Sequence, residues 1–222
     1  KLPLIGRFVR SANTAQFART LSIMASSGVP VISAMNIRYA RRIQLEKSKE
    51  YALALVENLN HQVFLQFIIP VALKFGKIQL SNKKQFDRMD KVVRSTLHSF
   101  KIDMVNIYDV NNTISYSFDS SLIGKENAGG KGYRDALSGE STSKLFQRGN
   151  WFEILLGFSQ HSKLITFAPL RAEQPLSRIS GPVLGVVEIV QDLTEDYKAI
   201  FSFQIRIVTT CTVVMGTLFL VL

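Results

Sequence analysis

The stretch "DMVNIYDVNNTISYSFD", residues 103–119, alternates apolar and polar side chains on both sides of a central pair of asparagines. Alternation with a period of two is typical of a β-strand that buries one of its faces. Asparagine tolerates the positive φ that tight hairpin turns need, so we expect the turn at Val110, Asn111 and Asn112. The stretch therefore predicts two antiparallel strands.

Three later segments have the composition of strands: "STSKLFQ" (residues 141–147), "SKLITFAPLRA" (residues 162–172) and "GPVLGVVEIVQDL" (residues 181–193). Between the second and third strands, "GGKGYRDALSGE" (residues 129–140) predicts a short helix. The predicted fold class is therefore α+β, with a five-stranded antiparallel sheet.

Two amphipathic helices are predicted before the sheet. The segment "RRIQLEKSKEYALALVENLNHQVFLQFIIPVALKFG", residues 41–76, predicts a long helix up to about Pro70, and residues 82–100 predict a second one. The apolar positions at helical spacing are Ala52, Val56, Leu59, Val63 and Phe67 in the first helix, and Phe86, Met89, Val93 and Leu97 in the second. These helices would form a long stem that carries the sheet.

The last residues of the chain are apolar, and residues 207–222 carry no charge. A membrane span needs about 20 apolar residues, so we expect a truncated transmembrane helix over residues 201–222. Cys211, the only cysteine, lies in this helix and excludes an intrachain disulfide. Since the chain starts at Lys1 and ends within this run, we expect it to be a piece of a longer protein.

The net charge of +10 is unevenly distributed, because residues 1–45 contain seven Lys or Arg and no Asp or Glu. A basic segment beside membrane-associated sequence is typical of the cytoplasmic side of a membrane. No basic stripe with interleaved aromatic residues is present, so we predict a membrane as a partner and no nucleic acid.

The N-terminal segment predicts a helical hairpin, because Gly28 can close one helix and Pro30 suits the first turn of the next. "LPLIGRFVR" (residues 2–10) followed by "TAQFARTLSIMASSGVPVISAM" (residues 14–35) resembles the start of the second cytoplasmic repeat of the type II secretion and type IV pilus inner-membrane platform proteins, the general secretion pathway protein F family. The matching positions are Leu2, Pro3, Gly6, Arg10, Phe17, Arg19, Thr20, Leu21, Ser27, Gly28, Val29, Pro30 and Ala34. The resemblance covers residues 1–38 and implies a structural subunit of a secretion or pilus machine.

The rest of the chain, about residues 43–222, has a different resemblance. "NIYDVNNTISYSFDSSLIGK" (residues 106–125), "LITFAPL" (residues 164–170) and "GPVLGVVEIVQDLTEDY" (residues 181–197) resemble the PAS-like extracytoplasmic sensor domains, of the PDC or Cache type, of bacterial membrane histidine kinases. This resemblance implies a PAS-like sheet in the periplasm, an anchor in the inner membrane, a homodimer formed through the stem, and a ligand signal transmitted through the C-terminal helix. A chemoreceptor or a cyclic-nucleotide synthase could use the same input domain.

The predicted domains are a hairpin fragment (residues 1–40), the stem (41–100), the sensor domain (101–200) and the membrane helix (201–222). A platform hairpin is cytoplasmic and a sensor domain is not, so a chain with both needs a span between them. Residues 20–37 contain too many polar residues to be a good span. We therefore expect two reading frames joined near residue 40.

The sensor resemblance places a ligand between the sheet and the loop and helix that follow the second strand. Its candidate binding residues are Tyr116, Lys131, Arg134, Lys144 and Thr166, whose cations would pair with a small anion such as a carboxylate. The alternatives are that these residues are exposed solubilising groups, or that the pocket is empty and the domain only transmits.

No catalytic or metal-binding pattern is evident. "GKENAGGKGY" (residues 124–133) has Gly132 where a phosphate-binding loop needs Ser or Thr. His61, His98 and His161 lack partners at ligand spacing, and Gln62 follows His61 where a phosphoacceptor histidine has an acid. We expect no enzymatic activity, no cofactor and no metal in this chain. The apolar insertion "RGNWFEILLGF" (residues 148–158) is expected to pack in the core, with packing on the stem or contact with the membrane surface as the alternatives.

Overall fold

The computed structural model describes residues 29–80, 82–148, 161–173 and 181–221, together with residues 15, 16, 18, 19 and 22. The chain divides into two compact units, Leu45–Glu195 and a second unit made of Lys1–Gln44 with Asp196–Leu222. The turn of the predicted N-terminal hairpin (residues 23–28) and nearly all of the apolar insertion (residues 149–158) lie outside the described residues.

Five antiparallel strands form one sheet in the order β2-β1-β5-β4-β3, which confirms the predicted fold class. The strands are β1 (Ile102–Tyr108), β2 (Ile114–Ser117), β3 (Thr142–Arg148), β4 (His161–Arg171) and β5 (Val183–Asp192). Asn112 has a φ of 61° in the turn between β1 and β2, as expected of an asparagine there. The last strand, β5, therefore lies in the centre of the sheet.

The stem begins with helix α1 (Val29–Val63), which passes through a π-helical turn (Phe64–Ile68) into α2 (Ile69–Phe75). Helix α3 (Lys83–Leu97) follows, and the side chain of Asn82 caps it by accepting a hydrogen bond from the backbone N–H of Lys84 at 3.0 Å. Helix α1 is continuous through residue 40, so the predicted domain boundary lies within one helix.

The two faces of the sheet have different coverings. The stem helices pack on one face, called here the stem face, and this contact forms the larger hydrophobic cluster. All five apolar positions predicted in the first stem helix are buried. Residues of the sheet in this cluster include Val105, Ile107, Val187 and Ile189.

The opposite face, called here the outer face, carries a smaller cluster under helix α4 (Gly130–Leu137). Its buried members are Tyr108, Ile114, Tyr133, Ala136 and Val186. The backbone N–H of Asn112 donates to the Tyr133 hydroxyl at 3.0 Å, and that hydroxyl donates to the Asp109 carbonyl at 2.9 Å. These two bonds fasten α4 to the turn between β1 and β2.

The C-terminal helix α5 (Thr194–Val221) follows β5. Among the residues that the structure describes, no helix is both long and apolar enough to cross a membrane. The uncharged part of α5, residues 207–221, is shorter than the roughly 20 residues of a span. The transmembrane helix predicted over residues 201–222 is therefore not confirmed.

Candidate ligand-binding site on the outer face of the sheet

One row of residues crosses the outer face from edge to edge. The strand register aligns Asn106 of β1 with Glu188 of β5, and Glu188 with Phe167 of β4. Ser117 of β2 extends the row on one side and Thr142 of β3 on the other. The Glu188 carboxylate thus lies on the central strand, between the polar residue Asn106 on β1 and the aromatic residue Phe167 on β4.

Glu188 is held by two donors from β1. The Asn106 Nδ2 donates to Glu188 Oε2 at 2.8 Å, and the Tyr108 hydroxyl donates to the same oxygen at 2.6 Å. Burial raises the pKa of Tyr108 well above its usual range, and the hydrogen bond to Glu188 raises it further. Tyr108 therefore remains protonated and continues to donate, so the position of the carboxylate is fixed.

Asn106 also carries an unsatisfied acceptor. Its side chain is nearly buried, with 7% of the residue exposed, and its Oδ1 has no hydrogen-bond partner among the described residues. A buried acceptor without a donor costs about 1–3 kcal/mol, and such atoms are uncommon in folded proteins. A donor that is not part of the described chain is thus expected beside Asn106 Oδ1.

Aromatic rings flank the carboxylate on the side of α4. The ring centroids of Tyr108 and Phe167 lie 6.3 Å apart, and those of Tyr108 and Tyr133 lie 5.6 Å apart. Helix α4 lies so close to the sheet that a Cβ atom at Gly132 would collide with the ring of Phe167. Gly132 therefore has a packing role, because a residue with a Cβ atom does not fit at this contact.

Two of the five residues predicted to bind a ligand lie on the stem face. The side chain of Tyr116 is fully buried in the larger cluster, and its hydroxyl donates to Asp90 Oδ1 of α3 at 2.8 Å. Thr166 Oγ1 lies 2.9 Å from Ser143 Oγ and is also fully buried. Neither side chain faces α4.

The three predicted cations are exposed. Lys131 and Arg134 lie on α4, and Lys144 lies on β3 opposite Ile165, one row along from Thr142. The structure therefore does not gather the five predicted residues into one site, and their role in binding remains a prediction. No group of three or more His, Cys, Asp or Glu within the described part of the chain could hold a metal ion.

The residues that do converge, Asn106, Tyr108 and Glu188, were missed by sequence reasoning. A signal was available, because Glu188 interrupts the apolar run "VVEIV" in a strand predicted to be buried, and Asn106 interrupts "MVNIY". A buried charged side chain needs a partner, so a carboxylate at such a position indicates a polar site.

Solved structures with a similar fold are of low sequence identity. The sensor domain of the Vibrio cholerae histidine kinase DctB is 13% identical with a TM-score of 0.46, covering 74% of this chain and 58% of that one. An extracellular ligand binding receptor from Desulfohalobium retbaense is 16% identical with a TM-score of 0.39, covering 72% and 26%. The periplasmic domain of RsbU from Chlamydia trachomatis is 12% identical with a TM-score of 0.35, covering 71% and 59%.

Curated proteins match only a short segment, and no family model matches the chain. Type II secretion system protein F of Pseudomonas aeruginosa is 54% identical over 37 residues, which cover 17% of this chain and 9% of the relative. The Aeromonas hydrophila protein of that name is 57% identical over 37 residues, covering 17% and 10%. This chain thus spans about a tenth of the length of the curated relatives it matches.

Proposed function

We propose that residues 43–222 are the extracytoplasmic sensing region of a bacterial membrane receptor. The observation that carries this proposal is the position of Glu188 on β5, which leads directly into the long helix α5. Strand β5 ends at Asp192 and α5 begins at Thr194. A ligand held on the outer face would therefore act on the strand that continues into the output helix.

The joint between β5 and α5 is firmly bonded to the start of β4. The Thr194 N–H donates to Asp192 Oδ1 at 2.8 Å, and Thr194 Oγ1 accepts from the Ser162 N–H at 3.0 Å. The Leu193 N–H donates to the Ser162 carbonyl at 2.8 Å. A ligand with unequal affinity for two arrangements of β4 and β5 would bias them, and we propose that the resulting shift reaches α5 through these bonds.

The receptor that we propose is a histidine kinase of the inner membrane, with a chemoreceptor or a cyclic-nucleotide synthase as the alternative outputs. Exposed apolar side chains on α5, such as Phe203 and Val213, support contact with a membrane. Exposed Leu65 and Leu73 on the stem support a homodimer formed through it. The sensing region itself has no catalytic role in this proposal.

An extracytoplasmic location can be tested by cysteine labelling in intact bacteria. Asn111 is exposed in the turn between β1 and β2, so Asn111→Cys in a Cys211→Ser background offers one accessible thiol. We expect a membrane-impermeant maleimide to label this variant in intact cells. The Cys211→Ser chain without the new cysteine is the control. Labelling only after lysis would place the domain in the cytoplasm and overturn the proposal.

A second function is supported for the N-terminal segment by the short matches to type II secretion system protein F. We propose that these matches fall on residues 1–38 and that this segment derives from an inner-membrane platform subunit, joined to a sensor by fusion of two reading frames near residue 40. Genomic sequence read across codons 36–44 in independent isolates tests the fusion. A break in the reading frame supports the fusion, whereas the same intact junction in every isolate overturns it.

A further inference from the structure

We infer that the outer-face site binds an organic ammonium group, which donates to Glu188 and to Oδ1 of Asn106. This inference rests on the proposed function, since it assumes that the outer face is where the ligand binds. The inferred ligand is a cation, whereas Lys131, Arg134 and Lys144 predicted an anion.

The hydrogen-bonding inventory of the site favours a donor. The Nδ2 of Asn106 and the hydroxyl of Tyr108 already donate to Glu188 Oε2. What the cluster still offers is Oδ1 of Asn106 and Oε1 of Glu188, and neither has a hydrogen bond to another described residue. Both atoms only accept, and an ammonium group brings three donors and no acceptor. A carboxylate ligand would place its own acceptor oxygens against Asn106 Oδ1 and Glu188 Oε1, and its negative charge beside that of Glu188.

The surroundings of Glu188 also suit an organic cation. Phe167 lies opposite Glu188 on β4, and Tyr108 lies within the same aromatic cluster. Aromatic faces attract ammonium groups, and the attraction is stronger where water is excluded. Tyr108 is 2% exposed and Glu188 is half-buried, so the site combines a carboxylate, an amide oxygen and aromatic rings in a partly dry environment.

Two cations on β4, four residues to either side of Phe167, are already engaged. Lys163 Nζ lies 2.9 Å from Asp103 Oδ2, and that hydrogen bond raises the pKa of Lys163. The guanidinium of Arg171 donates to the carbonyls of Gly139 at 3.3 Å and Gly181 at 3.4 Å. These two residues therefore do not supply a free positive charge to an anionic ligand.

A bare divalent cation fits less well than an ammonium group. Calcium takes six to eight oxygen ligands and magnesium requires near-octahedral geometry. The described residues contain no cluster of three acidic or metal-ligating side chains, and the site has one carboxylate and one amide oxygen. An ammonium group needs only a few acceptors within hydrogen-bonding distance.

The test compares two probes of similar size and opposite charge on the full 222-residue chain. Binding of n-propylammonium chloride and of sodium propionate is measured by calorimetry and by thermal denaturation, with magnesium chloride as a third probe. We expect only n-propylammonium to bind and to raise the melting temperature. Glu188→Gln should weaken its affinity about tenfold or more, because a hydrogen bond to a charged group is lost. Glu57→Gln, an exposed carboxylate on the stem, should leave the affinity unchanged.

A second variant distinguishes a loss of binding from a folding defect in Glu188→Gln. Asn106→Leu keeps a similar shape but removes Oδ1, and it should also weaken n-propylammonium binding about tenfold. If the affinity survives in a folded Asn106→Leu variant, that oxygen holds only water and the inference is wrong. Binding of propionate or magnesium instead of n-propylammonium overturns the ammonium class but retains a ligand site. Binding of none of the three probes also overturns the ammonium inference. The proposed function is then decided separately by the labelling of Asn111→Cys, because that experiment needs no ligand.

Discussion

At the scale of single residues, the bond between Tyr108 and Glu188 joins a buried phenol to a half-buried carboxylate across two central strands. A charge-assisted hydrogen bond of this kind is stronger than one between neutral groups. It also requires the phenol to keep its proton. The stability of the domain is therefore linked to pH at the alkaline end, where unpaired tyrosines ionise.

Tyr108→Phe should lower the free energy of unfolding by about 1–3 kcal/mol at neutral pH, because Glu188 loses a donor. The pKa of Tyr108 is raised in the folded state, so above pH about 10 only the unfolded chain loses this proton, and wild-type stability falls as pH rises. The difference between wild type and variant should shrink there. Urea unfolding at neutral pH and at about pH 10.5 measures both effects.

Tyr39→Phe is the matched control for this experiment, since Tyr39 is 68% exposed. It should change stability by less than about 0.5 kcal/mol at either pH. A constant difference between wild type and Tyr108→Phe across the two pH values would contradict the linkage.

At the scale of secondary structure, Pro70 interrupts the backbone hydrogen bonding of the stem helix, and a contact from α3 compensates for this. Proline has no N–H, so a carbonyl in the preceding turn loses its helical partner, and the chain forms a π-helical turn there. Arg88 of α3 donates its Nε–H to the Gln66 carbonyl at 2.8 Å. A side chain of one stem helix thus satisfies the backbone of another.

Arg88→Ala should destabilise the chain by about 1 kcal/mol, because the Gln66 carbonyl loses its donor. Lys91→Ala on the same helix is the control, since Lys91 is exposed and Lys and Arg have similar helix propensities. Chemical denaturation of the two variants gives the comparison. Equal losses would show that the bond between Arg88 and Gln66 contributes nothing.

The joint between β5 and α5 is the second element to test. Thr194→Val is nearly isosteric but leaves the buried N–H of Ser162 without its acceptor, so we expect a loss of about 1–3 kcal/mol. Thr209→Val, at an exposed position of α5, should have little effect. Thermal denaturation of both variants measures the difference. A Thr194→Val protein as stable as Thr209→Val would mean that the joint is not held by this bond.

At the scale of the whole molecule, the apolar contacts among the described residues divide into two clusters on opposite sides of the sheet. The larger cluster joins the stem to the sheet and includes Phe67, which is 2% exposed. The outer face has the smaller cluster and the polar row around Glu188. Most of the folding energy of the unit Leu45–Glu195 should therefore come from the stem face, which leaves the outer face available for a ligand.

Phe67→Ala should cost about 3–5 kcal/mol, because it removes a buried ring and leaves a cavity between stem and sheet. Phe146→Ala is its control, since Phe146 is 54% exposed, and its cost should stay below about 1 kcal/mol. Equilibrium unfolding in urea compares the two. Similar costs would show that the stem face is not the main core.

The sequence by itself determined the stem helices, the short helix after the second strand, the five strands, the Asn112 turn and the buried positions of the stem, because period and turn chemistry are local properties of the chain. It did not determine which strand residues share a face. A register shift between Ile107 and Tyr108 places Ile114 on the outer face and Tyr116 on the stem face, although simple alternation would put them together.

Only the tertiary structure decided the composition of the site. Asn106 and Glu188 are 82 residues apart in the chain and meet because β5 inserts between β1 and β4. Lys131, Arg134 and Lys144 are exposed, and Tyr116 and Thr166 lie against the other side of the sheet. Residue types could suggest a ligand, but strand order and register select the side chains that converge, because those depend on contacts between distant parts of the chain.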